Sequence, residues 1–94
     1  MPKTIDYDRM KRVWPTHKGT LTRRVNRARK TNTVADWQRV IDHCVACAKE
    51  WDEIGCWPDH WPTFNIAAQD AEAEISRLQG RGWVVFGKDL RERY

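Results

Sequence analysis

Between residues 33 and 55 the apolar side chains Val34, Trp37, Ile41, Cys44, Ala48 and Trp51 recur every three or four positions. That spacing matches the 3.6 residues of an α-helical turn, and a strand, which alternates every second residue, cannot gather it on one face. In a chain of 94 residues, a helix of this length has to supply much of the core. Val40 and Val45 widen the stripe, while Arg39, His43, Ala46 and Glu50 fall on the opposite, solvent side. Thr33 followed by Asp36 resembles a capping box with Asp in place of Glu or Gln, and Gly55 supplies the stop.

A second amphipathic stretch begins near Pro62 or Thr63, where proline suits a first helical turn. Phe64, Ala68, Ala71, Ile75 and Leu78 share its inner face, and Gly80 ends it. Alanines at the middle of that face allow a neighbour to approach closely. The two helices, joined by the Trp- and Pro-containing loop 55–62, predict an antiparallel hairpin. Residues 20–30 predict a shorter helix whose stripe is only Leu21, Val25 and Ala28. Arg23, Asn26, Arg27 and Lys30 lie opposite, with Arg24 and Arg29 flanking. Three apolar residues do not hold such a helix alone, so it has to lean on the hairpin.

Trp14-Pro15 and Gly19 read as punctuation ahead of the short helix. Upstream, Thr4–Asp8 alternates like a strand, whereas Met10, Val13 and Trp14 fit a helical turn, which leaves residues 1–19 open. Trp83-Val84-Val85-Phe86, between Gly82 and Gly87, suits a short strand. The expectation is a mainly α single domain over residues 1–94. A short basic helix packs on an antiparallel helical hairpin within residues 20–80, and a small terminal strand or extended segment lies in 81–94.

Composition excludes several classes. Hydrophobic residues at 40% and charged residues at 32% are those of a globular chain rather than a disordered one. The longest run free of Asp, Glu, Lys and Arg is His60–Gln69, half of the ~20 residues needed to span a bilayer. The start, Met1-Pro2-Lys3-Thr4-Ile5-Asp6, lacks the apolar stretch of a secretory signal. Three cysteines, an odd number, point to a reducing compartment rather than a disulfide scaffold. These features predict a soluble, cytoplasmic protein.

The charge is polarised along the chain. Residues 1–30 carry ten Lys or Arg against Asp6 and Asp8, a net of +8, and the remainder carries seven bases against eleven acids, a net of −4. Such a basic stretch either folds back on its own acidic half or faces a polyanion. Lys18, Arg23, Arg24, Arg27, Arg29 and Lys30 suit phosphates, and Asn26 among them can read a base edge. The expectation is nucleic-acid binding, duplex DNA above all, through the basic helix 20–31. A membrane role is disfavoured by the narrow apolar side. A winged-helix mode is disfavoured because the third helix holds Asp70, Glu72 and Glu74 against Arg77 alone.

Cys44, Cys47, Cys56 and His60 have the ligand types of a zinc site. Their placement argues against one: Cys44 lies mid-stripe, and an unbroken helix separates Cys47 from Cys56 by about 13 Å along its axis. The cysteines are expected as free thiols, with no metal and no cofactor. Asp42, His43 and Cys44 are contiguous on a helix and diverge, so they form no nucleophile–base–orienter set. His17 and His60 read as loop or capping residues, and no phosphate loop or dinucleotide fingerprint occurs. The chain is expected not to be an enzyme. Of six tryptophans, Trp37, Trp51 and Trp83 fit a core. Trp57 and Trp61, beside Asp59 and His60 in a proline-stiffened loop, fit either packing or an anchor for a partner protein.

The stretch Trp51–Trp61 (Trp51-Asp52-Glu53-Ile54-Gly55-Cys56-Trp57-Pro58-Asp59-His60-Trp61), with Gly19-Thr20-Leu21-Thr22-Arg23 upstream, resembles small Trp-rich proteins encoded by phages of actinobacteria. The likeness covers residues 18–75. It implies a small helical viral protein made in the host bacterial cytoplasm, and it favours DNA binding or the redirection of a host protein. The alternatives to a DNA-binding protein are thus a protein–protein interaction module using Trp57, Asp59, His60 and Trp61 on a host or phage partner, or a small virion component.

Overall fold

Thr33 opens the central helix as its spacing predicts: the side-chain oxygen accepts a hydrogen bond from the Asp36 N–H at 3.3 Å. In the computed structural model, which describes residues 4–80 and Leu90, the helices are α1 (Tyr7–Thr31), α2 (Val34–Ile54) and α3 (Trp61–Leu78). Only half of the capping box forms, because the Asp36 carboxylate turns to the Thr31 hydroxyl instead. Gly55 ends α2 with φ at +94°, a conformation that a side chain strains, and its N–H reaches the Trp51 carbonyl at 2.9 Å.

The three helices alternate in direction. The Asp6 N–H donates to the Ile54 carbonyl at 3.0 Å, so the start of α1 sits on the end of α2. Arg77 Nη2 donates to Asn32 Oδ1 at 3.1 Å, so the end of α3 returns to the start of α2. Asn32 takes the left-handed conformation that ends α1, with φ at 52°. Its side chain also accepts from Trp37 Nε1 at 3.3 Å, which fixes the tight α1–α2 link. α2 lies in the middle and packs against both neighbours.

The core gathers Val40, Cys44, Trp51, Ile54, Phe64 and Leu90, all fully or almost fully buried. Ala28, Ala48, Ala68 and Ala71 have no exposed surface, so the small residues do sit where helices approach closely. Leu90 joins this core, and its backbone N–H donates to Asn65 Oδ1 at 2.9 Å. The helical class is as the sequence predicts.

α1 departs from expectation. It has 25 residues and passes straight through Trp14-Pro15 and Gly19. Pro15 lacks an N–H for the Lys11 carbonyl and crowds the preceding turn, a cost of ~3 kcal/mol inside a helix. Aromatic burial offsets that cost. Trp14 meets Phe64 with ring centroids 5.6 Å apart and Trp51 at 6.3 Å, while His17 and Leu21 in the next turns are buried. The basic segment is therefore the second half of a long helix, and the core begins well before residue 20. Thr4–Asp8 is no strand: Tyr7 and Asp8 are helical, and Asp6 is the N-cap, accepting from the Arg9 N–H at 3.0 Å. Among the described residues there is no strand at all. The predicted strand Trp83–Phe86 lies outside them.

The long α1 also covers part of α2 that the period assigns to solvent. Arg39 and Ala46 are exposed, but His43 and Glu50 are half-buried beneath α1. No helix among the described residues is long and apolar enough to cross a membrane.

Candidate nucleic-acid interface

The basic set divides along two edges of α1. On the edge toward α2, Arg24 is half-buried and donates from Nη1 to the Arg39 carbonyl at 3.1 Å. Arg27 Nε lies 3.5 Å from Asp36 Oδ2, and Arg39 Nη1 lies 3.8 Å from Asp36 Oδ1. Arg24, Arg27, Asp36 and Arg39 line a cleft of about 170 Å³. Hydrogen bonding from Thr31, then the charge of Arg27 and contributions from Thr33 and Arg39, outweighs burial and holds the Asp36 carboxyl below its ordinary value. Asp36 is thus a carboxylate among three guanidiniums, and the cleft keeps a net positive charge. Arg23 is exposed and donates to the Thr20 hydroxyl, one turn earlier in α1, at 3.1 Å.

The remaining members lie elsewhere. Lys18 places its ammonium 5.4 Å from the Trp14 ring centroid. Asn26 and Arg29 line a hollow between α1 and α3 together with Asp70. Lys30 is exposed near the end of α1. Arg39 was not among the sequence-derived candidates, since the period of α2 marks it only as solvent-facing. Nothing in α2 alone reveals that α1 brings Arg24 and Arg27 beside it.

His17 is not a loop residue. It sits inside α1, buried, with Nε2 at 2.8 Å from Glu50 Oε1 and Nδ1 accepting from Trp51 Nε1 at 3.2 Å. An indole N–H only donates, so Nδ1 carries the lone pair and Nε2 carries the proton directed at Glu50. Arg9 donates to the same carboxylate from Nη2 at 2.9 Å and from Nε at 3.3 Å, and to Glu53 at 2.9 Å. Burial pushes the Glu50 carboxyl up, but the bonds from Arg9 and His17 outweigh it and bring the group below its usual value. Both ring nitrogens of His17 are engaged, which leaves neither for a substrate.

His43 Nε2 donates to the His17 carbonyl at 3.0 Å, and Cys47 Sγ lies 3.5 Å from the same nitrogen. Burial first, then Cys44 and Glu50, pushes the Cys47 thiol up to about 12. A neutral, enclosed thiol is a poor nucleophile and a poor metal ligand. Cys44 is buried and Cys56 half-buried. His60 occupies the N-cap position of α3 without a side-chain capping bond and stacks on Trp14 at 6.2 Å. α2 runs unbroken from Cys44 to Ile54, and among the described residues no three His, Cys, Asp or Glu side chains converge as a metal site.

Trp57 and Trp61 are half-buried. Trp57 meets Trp51 edge-on at 5.4 Å and Trp61 edge-on at 5.3 Å, and its indole N–H donates to Asp52 at 2.6 Å. The two rings pack against the core in the first of their two expected roles, while Asp59 and His60 beside them are exposed. No protein-family model, curated protein or solved structure matches this chain.

Proposed function

We propose that the protein binds nucleic acid, duplex DNA in the first place, through a basic surface that α1 and α2 build together, and that it acts by binding rather than by catalysis. The observation that carries this reading is the convergence of Arg24, Arg27 and Arg39 from two helices around one cleft. Guanidiniums match phosphate oxygens with two parallel donors, and pre-positioned side chains lose less freedom on binding. Asp36 and the Arg39 carbonyl supply that positioning here. The Arg27 and Arg39 side chains are 67% and 62% exposed beside Asp36, so each keeps donors that a phosphate can take. Arg23 and Lys30 extend the positive surface, whereas Asn26, on the α3 side of α1, has no part in it. A DNA-binding role accords with the setting that the resemblance to phage proteins implies.

The test is affinity for random-sequence duplex DNA, followed by fluorescence anisotropy across a salt series. Four phosphate contacts, from Arg23, Arg24, Arg27 and Arg39, give a log–log slope of about −3.6 at ~0.9 counterion each. The triple variant Arg23→Gln/Arg24→Gln/Arg39→Gln should stay helical and flatten that slope by about 2.7. Changing Lys18 and Arg29 to Gln, on the other edge, should alter it far less. An unchanged slope in the folded triple variant refutes the interface. Absence of binding by the wild type at about 50 mM salt refutes the function.

A further inference from the structure

α2 packs along both neighbours, but α1 and α3 leave a groove between them. Two hollows, of about 320 and 340 Å³, share Leu21, Thr22 and Thr63 and therefore run into one another. The larger one has an apolar lining of Leu21, Val25, Trp37 and Ala67. Ile66 stands at its edge with 56% of its surface exposed; only Tyr7 is a more open large hydrophobic among the described residues. The α1 wall carries Arg29 and the α3 wall carries Asp70. Among the described residues neither belongs to an ion pair.

We propose that this groove is a self-association face, on which a second copy of the chain docks about a two-fold axis. A two-fold interface requires one patch to be its own complement. This patch offers both halves: a projecting Ile66 beside an apolar hollow, and a positive wall facing a negative one. The two-fold rotation brings Arg29 of each copy to Asp70 of the other, and Ile66 of each copy to the other's hollow. A uniformly acidic partner would be repelled by Asp70 and a uniformly basic one by Arg29. A second copy presents both signs at the matching spacing. The groove lies on the edge of α1 away from Arg24 and Arg39, so docking leaves both basic clefts open. The inference does not depend on nucleic-acid binding.

Sedimentation velocity of the full chain over a wide concentration series, without nucleic acid, tests the proposal. The wild type should shift from monomer to dimer as concentration rises. Arg29→Asp and Asp70→Arg should each weaken association by about tenfold or more, because every reversal is felt at both symmetry-related contacts. Mixing these two variants should restore a 1:1 heterodimer, since one copy then has two negative walls and the other two positive ones. Ile66→Asp should favour monomer with an unchanged melting temperature, as the side chain is exposed. A wild type that stays monomeric throughout overturns the proposal, whatever then covers the groove. So does a mixture no more dimeric than its components, or a dimer indifferent to Ile66→Asp.

Discussion

Replacing His17 with phenylalanine isolates the hydrogen bonds that hold the first half of α1 on α2. The new ring keeps a flat side chain at the same place and can retain the edge contact with Trp51, where the centroids are 5.9 Å apart. What goes is polar. Trp51 is fully buried, so its indole N–H loses an acceptor at 3.2 Å with no water to replace it. An orphaned buried donor costs ~1–3 kcal/mol. Glu50 loses the 2.8 Å bond from His17 but keeps both Arg9 bonds, and its side chain remains 28% exposed. That share falls at the low end for bonds to charged groups, ~1 kcal/mol. The sum is ~2–4 kcal/mol, against a total stability of roughly 5–14 kcal/mol for a chain of this length. Urea unfolding followed by circular dichroism is the assay. With a slope of ~1–1.5 kcal/mol/M, the midpoint should fall by ~2 M and the slope should stay unchanged. A loss under ~1 kcal/mol would refute the reasoning, because Trp51 and Glu50 would then be satisfied by water.

Pro15→Ala should stabilise the protein by ~1–3 kcal/mol, seen as a melting temperature several degrees higher, since it restores a donor for the Lys11 carbonyl at an exposed position. Burial first, with the charges of Arg24 and Arg23 adding to it, holds His43 below its ordinary value of 6.5 against the bond to the His17 carbonyl. The unfolded chain therefore binds more protons once pH drops under 6.5, so stability is full above that value and declines toward the lower folded-state value; urea midpoints across pH should show this decline, flattened in His43→Gln.

α2 and α3 are legible in the sequence because their apolar periods, caps and stops agree with one another. Thr33, Gly55 and the proline in the first turn of α3 all stand where local rules put them. α1 is not legible, because Trp14-Pro15 and Gly19 are local break signals and the forces that override them are distant. Trp14 finds Trp51 and Phe64 only after α2 and α3 are in place. The same ignorance propagates. Without a long α1, nothing covers His43 and Glu50, and the period of α2 assigns both to water. The candidate site shows the same division. The basic residues of α1 are visible as a cluster in the sequence, yet their sorting onto two edges depends on which neighbour each edge meets. Arg39 enters the cleft through that sorting alone. The packing of Trp57 depends on the Trp51 ring and that of Trp61 on Trp57, contacts that the loop sequence alone does not specify.

The central place of α2 bears on how the chain reaches this structure. Two residues link α1 to α2 and six link α2 to α3, so each interface forms between neighbours in sequence. Contacts of such short range close small loops, and helical chains built this way fold in microseconds to milliseconds. Because both interfaces draw on the same helix, either flank can add to α2 before the other arrives. Two assembly routes are therefore open, one through an α1–α2 hairpin and one through an α2–α3 hairpin. Weakening α2 itself, at Val40 or Trp51, slows both, whereas a lesion confined to one flank leaves the other route in use.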